Sequence, residues 1–334
     1  MKRIKIIVAI TMFLLISVAA GVYLHIIINA GKPADTEPVQ QVVIVKPGQG
    51  FLVFSERLHK MGIINNLNEF KLFAYIKGYG KSIKAGEYIL SSAMTPEEIL
   101  EIVVNGKVRL HRLTVPEGYN LKQIAWIVDE AGFGTEADFL SAATDTDLVY
   151  TKGIDAETFE GYLFPDTYYF PKDARPEDII STMVKRFWAI FKPEWKNRAE
   201  ILGFSIHQVV TFASIIEKET GAAFERPIIS SVFHNRLKRR MRLQSDPTVI
   251  YGIKDFDGNL TRKHLAKTTP YNTYRINGLP PGPIANAGIK AIEAALYPAD
   301  TKFLYFVSKK DTTHKFSANI RDHNIAVRKY QLRR

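Results

Sequence analysis

A central helix is predicted by the segment SIHQVVTFASIIEKETG, residues 205–221. Ser205 and Gln208 have the spacing of a capping box, in which each side chain bonds the other residue's backbone N–H at the start of a helix. Gly221 is the residue type that commonly ends a helix, so about four turns are expected. At about 100° per residue, the apolar side chains form one stripe that should face the core. This stripe consists of Val209, Phe212, Ala213 and Ile216.

Two glutamates near the end of this helix are candidates for acid–base chemistry. Glu217 and Glu219 fall on opposite flanks of the apolar stripe, about 200° apart, so they cannot both face one narrow cleft. Glu217 follows two isoleucines in the last turn, where the helix dipole disfavours its charged form. A carboxylic acid that stays protonated near neutral pH can act as a general acid in glycosidic cleavage. The alternative is an exposed glutamate paired with Lys218 or Arg226, and periodicity alone does not choose between the two acids.

Around this segment the C-terminal half alternates helices with short strands. Apolar periodicity and capping signals predict further helices at about 176–191, 226–239 and 286–296, and a strand at 303–307. The predicted fold class is therefore α+β, with a domain that extends from residue 108 to residue 334.

The N-terminus predicts a membrane helix. Basic residues in positions 1–5 precede an uncharged, mostly apolar run at 6–28, which is long enough to span a bilayer. The basic flank favours a single-pass anchor with residues 1–5 in the cytoplasm and the rest of the chain on the outer face. The alternative is a signal peptide cleaved after the small residues at 18–20, but the apolar run continues beyond them.

A linker and a small first domain follow the membrane helix. Residues 29–40 are polar and contain Pro33 and Pro38, as expected of a linker. Residues 41–107 combine a β-rich start with helices, one of which begins at Thr95 and Pro96 as N-cap and first helical residue. Small units of strands and helices often bind carbohydrate. The alternative is that this domain has only a structural role and binds no carbohydrate.

Composition excludes several function classes. The chain has no cysteine, which excludes disulfides, thiolate metal sites and a cysteine nucleophile. No His-Glu-x-x-His or Gly-x-Ser-x-Gly pattern occurs, so neither a metal nor a cofactor is expected. The net charge of +11 indicates an anionic partner, and the densest basic run lies at 236–242. Because the chain is expected to be exported, nucleic acid is not an expected partner.

Several sequence blocks, in order, resemble the endolytic murein transglycosylases of the YceG-like, or MltG, family. The blocks are EGYLFPDTY (160–168), ASIIEKET (213–220), SVFHNRL (231–237), LQSDPTVIYG (243–252), YNTY (271–274) and GLPPGPI (278–284). The resemblance covers most of residues 110–330, and it is weaker in the first domain. Ala287 stands where the family commonly has proline.

The resemblance implies an architecture and a reaction. It implies a single membrane helix, a small LysM-like module and a YceG-like catalytic domain, held at the bacterial inner (cytoplasmic) membrane with the catalytic domain on the periplasmic face. The family's catalytic glutamate matches Glu217. The implied reaction is lytic transglycosylation of nascent peptidoglycan, which cuts the MurNAc–GlcNAc bond, leaves 1,6-anhydroMurNAc ends and terminates strand elongation. Glycan strands, the lipid bilayer and peptidoglycan synthases are the expected partners.

Residues that bind the substrate are predicted in two segments. One is a short loop rich in hydrogen-bonding groups, and the other offers aromatic faces with polar edges for sugar rings. The candidates are Gln244, Ser245, Asp246, Thr248, Tyr271, Asn272 and Tyr274. Loop-stabilising bonds are the alternative for each of them. Two other functions also stay open: a water-using muramidase with Glu219 or Asp246 as second carboxylate, and a noncatalytic peptidoglycan-binding scaffold.

Overall fold

The computed structural model describes residues 2–30, 32–79, 83–219 and 222–332. The predicted helix stop at Gly221 lies outside these described residues. Contacts divide the chain into two compact units, one formed by residues 1–111 and 169–173, and the other by 112–168 and 174–334.

The first unit begins with a long apolar helix. Helix α1 (Lys2–Ala30) carries its charged residues at the start, and its side chains are exposed along most of its length. The stretch Arg3–Ile26 is long and apolar enough to cross a membrane. The predicted apolar span at 6–28 therefore lies within one continuous helix.

A small module of strands and helices follows in the same unit. Strand β1 (Gln40–Val45) pairs antiparallel with β2 (Gly86–Ser91), and the chain between them forms α2 (Phe51–Lys60) and α3 (Leu67–Ile76). Alternate strand residues point into a core shared with the helices. Helix α4 (Pro96–Asn105) starts with the predicted Thr95 cap. The unit is the predicted mixture of strands and helices, and its LysM-like character stays a prediction.

The second unit contains most of the helices. Strands β3 (Leu110–Thr114) and β4 (Thr167–Pro171) pair with each other and have residues in both units, and β5 (Tyr305–Ser308) pairs antiparallel with β6 (His314–Ser317) within the second unit. The helices are α5 (Leu121–Glu130), α6 (Glu136–Ala143), α7 (Thr146–Thr151), α8 (Pro176–Ile190), α9 (Pro193–Leu202), α10 (Ile206–Glu219), α11 (Arg226–Lys238), α12 (Asp246–Tyr251), α13 (Arg262–Ala266), α14 (Ile289–Leu296) and α15 (Ile320–Val327). This mixture of helices and small sheets confirms the predicted α+β class.

Helix α10 is the central helix of this unit, and its predicted start is confirmed. Gln208 N–H donates to Ser205 Oγ at 3.1 Å, and Ser205 N–H donates to Gln208 Oε1 at 2.9 Å. The predicted apolar stripe of Val209, Phe212, Ala213 and Ile216 is buried, and so is every other residue at 209–216. Helices α9, α11, α12 and α14 all pack against α10 and cover it on several sides. Its buried polar residues are satisfied internally, since Ser214 Oγ donates to Thr211 O and accepts from Ile284 N–H.

Candidate active site

Glu217 lies in the last turn of α10 with both carboxylate oxygens occupied. Arg226 Nη2 donates to Oε1 at 2.8 Å, and Gly288 N–H donates to Oε2 at 3.0 Å. The Glu217 side chain is only 6% exposed. One donor is a cationic side chain and the other a backbone N–H, and both come from segments outside α10.

Arg226 is placed by the start of α11. It follows a short 3-10 turn at Ala223–Glu225, and its side chain is 11% exposed. Its Nη2 atom, which bonds Glu217, also lies 3.8 Å from Glu117 Oε2. Arg226 therefore faces two carboxylates from two different segments.

The loop that carries Glu117 passes directly over the end of α10. Gly118 has a φ of +77°, in the left-handed region that favours glycine, and a Cβ there would lie 3.6 Å from Glu217 Cγ. Lys218 Nζ donates to Gly118 O at 3.2 Å. These contacts hold the loop against the glutamate.

Asn286 ties that loop to the segment that carries Gly288. Gly118 N–H donates to Asn286 O, and Asn286 N–H donates to Tyr119 O, both at 2.8 Å. Asn286 Nδ2 donates to Tyr119 O at 2.9 Å and to Glu160 Oε1 at 3.1 Å, while its Oδ1 accepts from Leu163 N–H at 2.8 Å. These bonds explain why α14 starts at Ile289 and not near 286. The backbone of Asn286 is engaged with a distant loop and cannot continue the helix.

Glu160 is a buried acid behind this junction. It is 4% exposed, and its Oε2 accepts from Leu121 N–H and Tyr251 OH, each at 3.1 Å. Burial raises the pKa of Glu160 to about 7, although its hydrogen bonds oppose the shift. Through Asn286, Leu121 and Tyr251, Glu160 connects the starts of α5 and α14 with the end of α12. Glu117, Glu160, Asn286 and Gly288 were not predicted from the sequence as site residues. Glu160 lies in the EGYLFPDTY block and Glu117 in a Pro-Glu-Gly turn, and these are the sequence signals that could have indicated them.

Replacing Asn286 with alanine should destabilise the protein strongly. The change leaves the buried Leu163 N–H without its acceptor and removes a donor from Glu160 and Tyr119. We expect the free energy of unfolding to fall by about 3 kcal/mol, since each buried unsatisfied group costs roughly 1–3 kcal/mol. Chemical denaturation of the full chain measures this, with the exposed Asn259→Ala as control. A loss as small as that of the control would show that the Asn286 side chain does not stabilise this junction.

Glu219 lies apart from the Arg226 and Gly288 contacts. Its Oε1 accepts a hydrogen bond from Ser245 Oγ, at the start of α12. Burial raises the pKa of Glu219 to about 7, and the nearby Asp246 charge adds to the shift, while the Ser245 bond and Arg236 oppose it. The two glutamates therefore have different surroundings, as their angular separation on the helix predicted.

Glu219 should make stability depend on pH. Its pKa of about 7 in the folded state exceeds the ordinary 4.5, so between these values the folded protein holds a proton that the unfolded chain has released. The free energy of unfolding should therefore fall as pH rises through this range, by up to about 1.4 kcal/mol per pH unit for this group. Denaturation at several pH values should show a shallower dependence for Glu219→Gln, whereas the exposed Glu200→Gln keeps the wild-type slope. Equal slopes in all three proteins would contradict this.

Three of the predicted substrate-binding residues are buried. Ser245 N–H donates to Thr273 Oγ1, and Thr248 Oγ1 donates to Ser245 O at 2.7 Å. Asn272 Nδ2 donates to three carbonyl oxygens in the 264–267 segment, and its Oδ1 accepts from Tyr274 N–H. Ser245, Thr248 and Asn272 are each at most 1% exposed, so their polar atoms shape the loops from inside.

The other four predicted substrate-binding residues are exposed or partly exposed to solvent. Gln244 and Asp246 are exposed, and Tyr271 and Tyr274 are partly exposed. Tyr274 OH donates to Asp246 Oδ1 at 2.6 Å, and the Tyr271 ring packs 4.8 Å from that of Tyr251. The structure therefore brings polar groups and aromatic faces together around α12. Within the described ranges, no group of three or more His, Asp or Glu side chains is arranged to hold a metal ion.

Comparisons with known proteins identify relatives over most of the chain. The YceG-like family profile matches residues 43–329. An endolytic murein transglycosylase of Bacillus subtilis (strain 168) is 35% identical over 320 residues, which cover 90% of this chain and 87% of that protein. A protein of the same name from Streptococcus pneumoniae serotype 2 (strain D39) is 28% identical, and the match covers 90% of this chain but 60% of that longer protein.

A solved structure shares the fold. The crystal structure of a yceG-like protein from Listeria monocytogenes is 35% identical in sequence and superposes with a TM-score of 0.61. The match covers 86% of this chain and 98% of that one. The profile, the relatives and the fold agree with the resemblance seen in the sequence blocks, and the chain belongs to the YceG-like family.

Proposed function

We propose that this chain is an endolytic peptidoglycan lytic transglycosylase, a carbon–oxygen lyase that cuts the MurNAc–GlcNAc bond of nascent strands. The observation that carries the proposal is the position of Glu217. This glutamate matches the family's catalytic residue, and both of its oxygens are held by donors from Arg226 and Gly288. The names of the relatives, endolytic murein transglycosylase, support the same reaction.

Glu217 performs both proton transfers in this proposal. It protonates the oxygen that leaves C1 of the muramyl residue, and its carboxylate then takes the proton of the C6 hydroxyl as that oxygen attacks C1. The product end is 1,6-anhydroMurNAc. Because the attacking oxygen belongs to the substrate, the reaction needs neither water nor a covalent enzyme nucleophile, in contrast to glycosidases that use two carboxylates.

Substrate contact is assigned to the surface around α12. Gln244, Asp246, Tyr271 and Tyr274 offer polar edges and aromatic faces for sugar rings. The buried residues Ser245, Thr248 and Asn272 support the same loops from inside.

We further propose that helix α1 anchors the enzyme in the bacterial inner membrane. The basic N-terminal flank favours a cytoplasmic N-terminus, which places the catalytic unit on the periplasmic face. Strands would then be cut close to the bilayer, where synthases extend them, and cutting would terminate elongation. The module at 41–107 is assigned as a LysM-like glycan-binding unit because it is a small two-stranded sheet with flanking helices.

Strand-length analysis tests the proposed activity. Full-length protein in detergent is incubated with uncrosslinked glycan strands, and chromatography follows their length distribution. The proposal predicts internal fragments of intermediate length, because an endolytic enzyme cuts within strands. Release of terminal disaccharides alone would contradict endolytic action. Strands that bind but stay uncut would favour the noncatalytic scaffold.

A further inference from the structure

Glu117 is an acidic group beside Glu217 to which the proposed reaction gives no role. It lies in the Pro116-Glu117-Gly118 loop between β3 and α5. Arg226 Nη2 is 2.8 Å from Glu217 Oε1 and 3.8 Å from Glu117 Oε2. One cation therefore faces two carboxylates.

Gly288 also lies directly against the Glu117 carboxylate. A Cβ at Gly288 would overlap Glu117 Oε1 and Cδ. The φ of Gly288 is −75°, which any residue adopts, so a side chain there would only have to displace the Glu117 carboxylate. Gly288 also donates its N–H to Glu217 Oε2. The two carboxylates therefore converge at Gly288 as well as at Arg226.

The two acids differ in their access to solvent. The Glu217 side chain is 6% exposed, whereas that of Glu117 is 49% exposed. Glu117 can exchange a proton with solvent, while Glu217 is enclosed by its two donors. Solvent therefore reaches the Glu117 carboxylate more readily than the Glu217 carboxylate.

The surroundings of Glu117 favour its protonated form. Burial and the Glu217 charge raise the pKa of Glu117, and Arg226 opposes the shift. The charged groups that face the Glu117 loop are Glu217 and Lys218 on α10 and Arg226 on α11. Glu117 is therefore a carboxyl that holds a proton more readily than an ordinary glutamate, beside the same cation that binds Glu217.

We propose that Glu117 shares one proton with Glu217 and supplies it for transfer to the glycosidic oxygen. This inference rests on the proposed function. The Glu117 acid gives its proton to the Glu217 carboxylate, and Glu217 passes it to the leaving oxygen as the C1–O bond breaks. Glu217 then takes the proton of the C6 hydroxyl as the C6 oxygen bonds to C1. The pair ends with one proton, as it began, and nothing else is consumed.

The pH dependence of strand cleavage tests this role. Full-length wild type and Glu117→Gln are compared on uncrosslinked strands across pH, with the exposed Glu130→Gln as control. Glu117→Gln should lower kcat by about 100-fold, the low end for one acid–base group. It should also move the basic limb of the kcat/KM profile to lower pH by about one unit, because the remaining carboxylate loses its proton more easily without a like charge beside it. Glu117→Asp should place the basic limb between those of Glu117→Gln and the wild type.

Gly288→Ala provides a second variant that leaves Glu117 in the chain. The added Cβ displaces the Glu117 carboxylate, so Gly288→Ala should move the basic limb of the kcat/KM profile in the same direction as Glu117→Gln. The double variant Glu117→Gln/Gly288→Ala should move the limb no further than Glu117→Gln alone. A rate that falls by the same factor at every pH in Glu117→Gln would overturn the inference and leave the proposed function standing. A wild-type protein that cuts strands at no pH would overturn both.

Discussion

Replacing Glu217 with glutamine will reduce strand cleavage by about 1,000-fold, within the range that one general acid–base group contributes. Glutamine keeps the shape of the side chain, and its amide oxygen can still accept a hydrogen bond from Arg226 or Gly288. The variant should therefore fold and bind strands. What it loses is the ability to give and take a proton. Initial rates on uncrosslinked strands, measured at saturating substrate, give the ratio of kcat values.

Glu219→Gln is the matched control on the same helix. Glu219 bonds Ser245 and does not share the Arg226 and Gly288 donors, so this variant should keep most of the activity. If Glu219→Gln lost cleavage while Glu217→Gln stayed active, Glu219 and not Glu217 would be the catalytic acid. Equal loss in both would favour the muramidase alternative, in which two carboxylates divide the work.

Replacing Arg226 with methionine will lower both stability and activity. The Glu217 carboxylate would stay enclosed without its cation, and breaking a buried ion pair from one side costs about 3 kcal/mol or more. We expect this loss in the free energy of unfolding, and a decrease in kcat of about 100-fold because the carboxylate is no longer held in place. Denaturation and initial rates measure the two effects. The exposed Arg239→Met is the control.

A double-mutant cycle separates the ion pair from simple packing. If the cost of Arg226→Met comes from the unpaired Glu217 charge, the double variant with Glu217→Gln should be more stable than Arg226→Met alone. Strictly additive losses would show that Arg226 stabilises the protein through its other contacts, and the ion pair would then have no measurable energetic role.

Local sequence signals predicted the elements of the fold well. The capping residues Ser205 and Gln208 fixed the start of α10, and the helices predicted at about 176–191 and 226–239 occur at Pro176–Ile190 and Arg226–Lys238. These signals involve residues a few positions apart, whose interactions do not depend on the rest of the chain. Periodicity predicted the apolar stripe of α10, whose residues are buried, but it did not predict that neighbouring helices also bury the rest of 209–216.

The site depends on contacts that local patterns do not contain. Glu217 receives its two donors from Arg226, across the end of α10, and from Gly288, far along the chain. Glu117 and Asn286 join them through loop contacts between distant segments. Family resemblance pointed to Glu217, but the residues that bind its carboxylate became visible only in three dimensions. For Ser245, Thr248 and Asn272, residue type was equally compatible with substrate contact and with the internal bonds that the structure shows.

Cleavage in water enriched in oxygen-18 shows whether the attacking oxygen comes from the substrate or from water. Full-length wild type and Glu217→Gln are incubated with uncrosslinked strands in labelled water, and mass spectrometry identifies the new strand ends. Wild type should give internal fragments that end in 1,6-anhydroMurNAc without the heavy isotope, and Glu217→Gln should not give them. New reducing ends that carry one oxygen-18 atom would show that water is the nucleophile, and would contradict lytic transglycosylation.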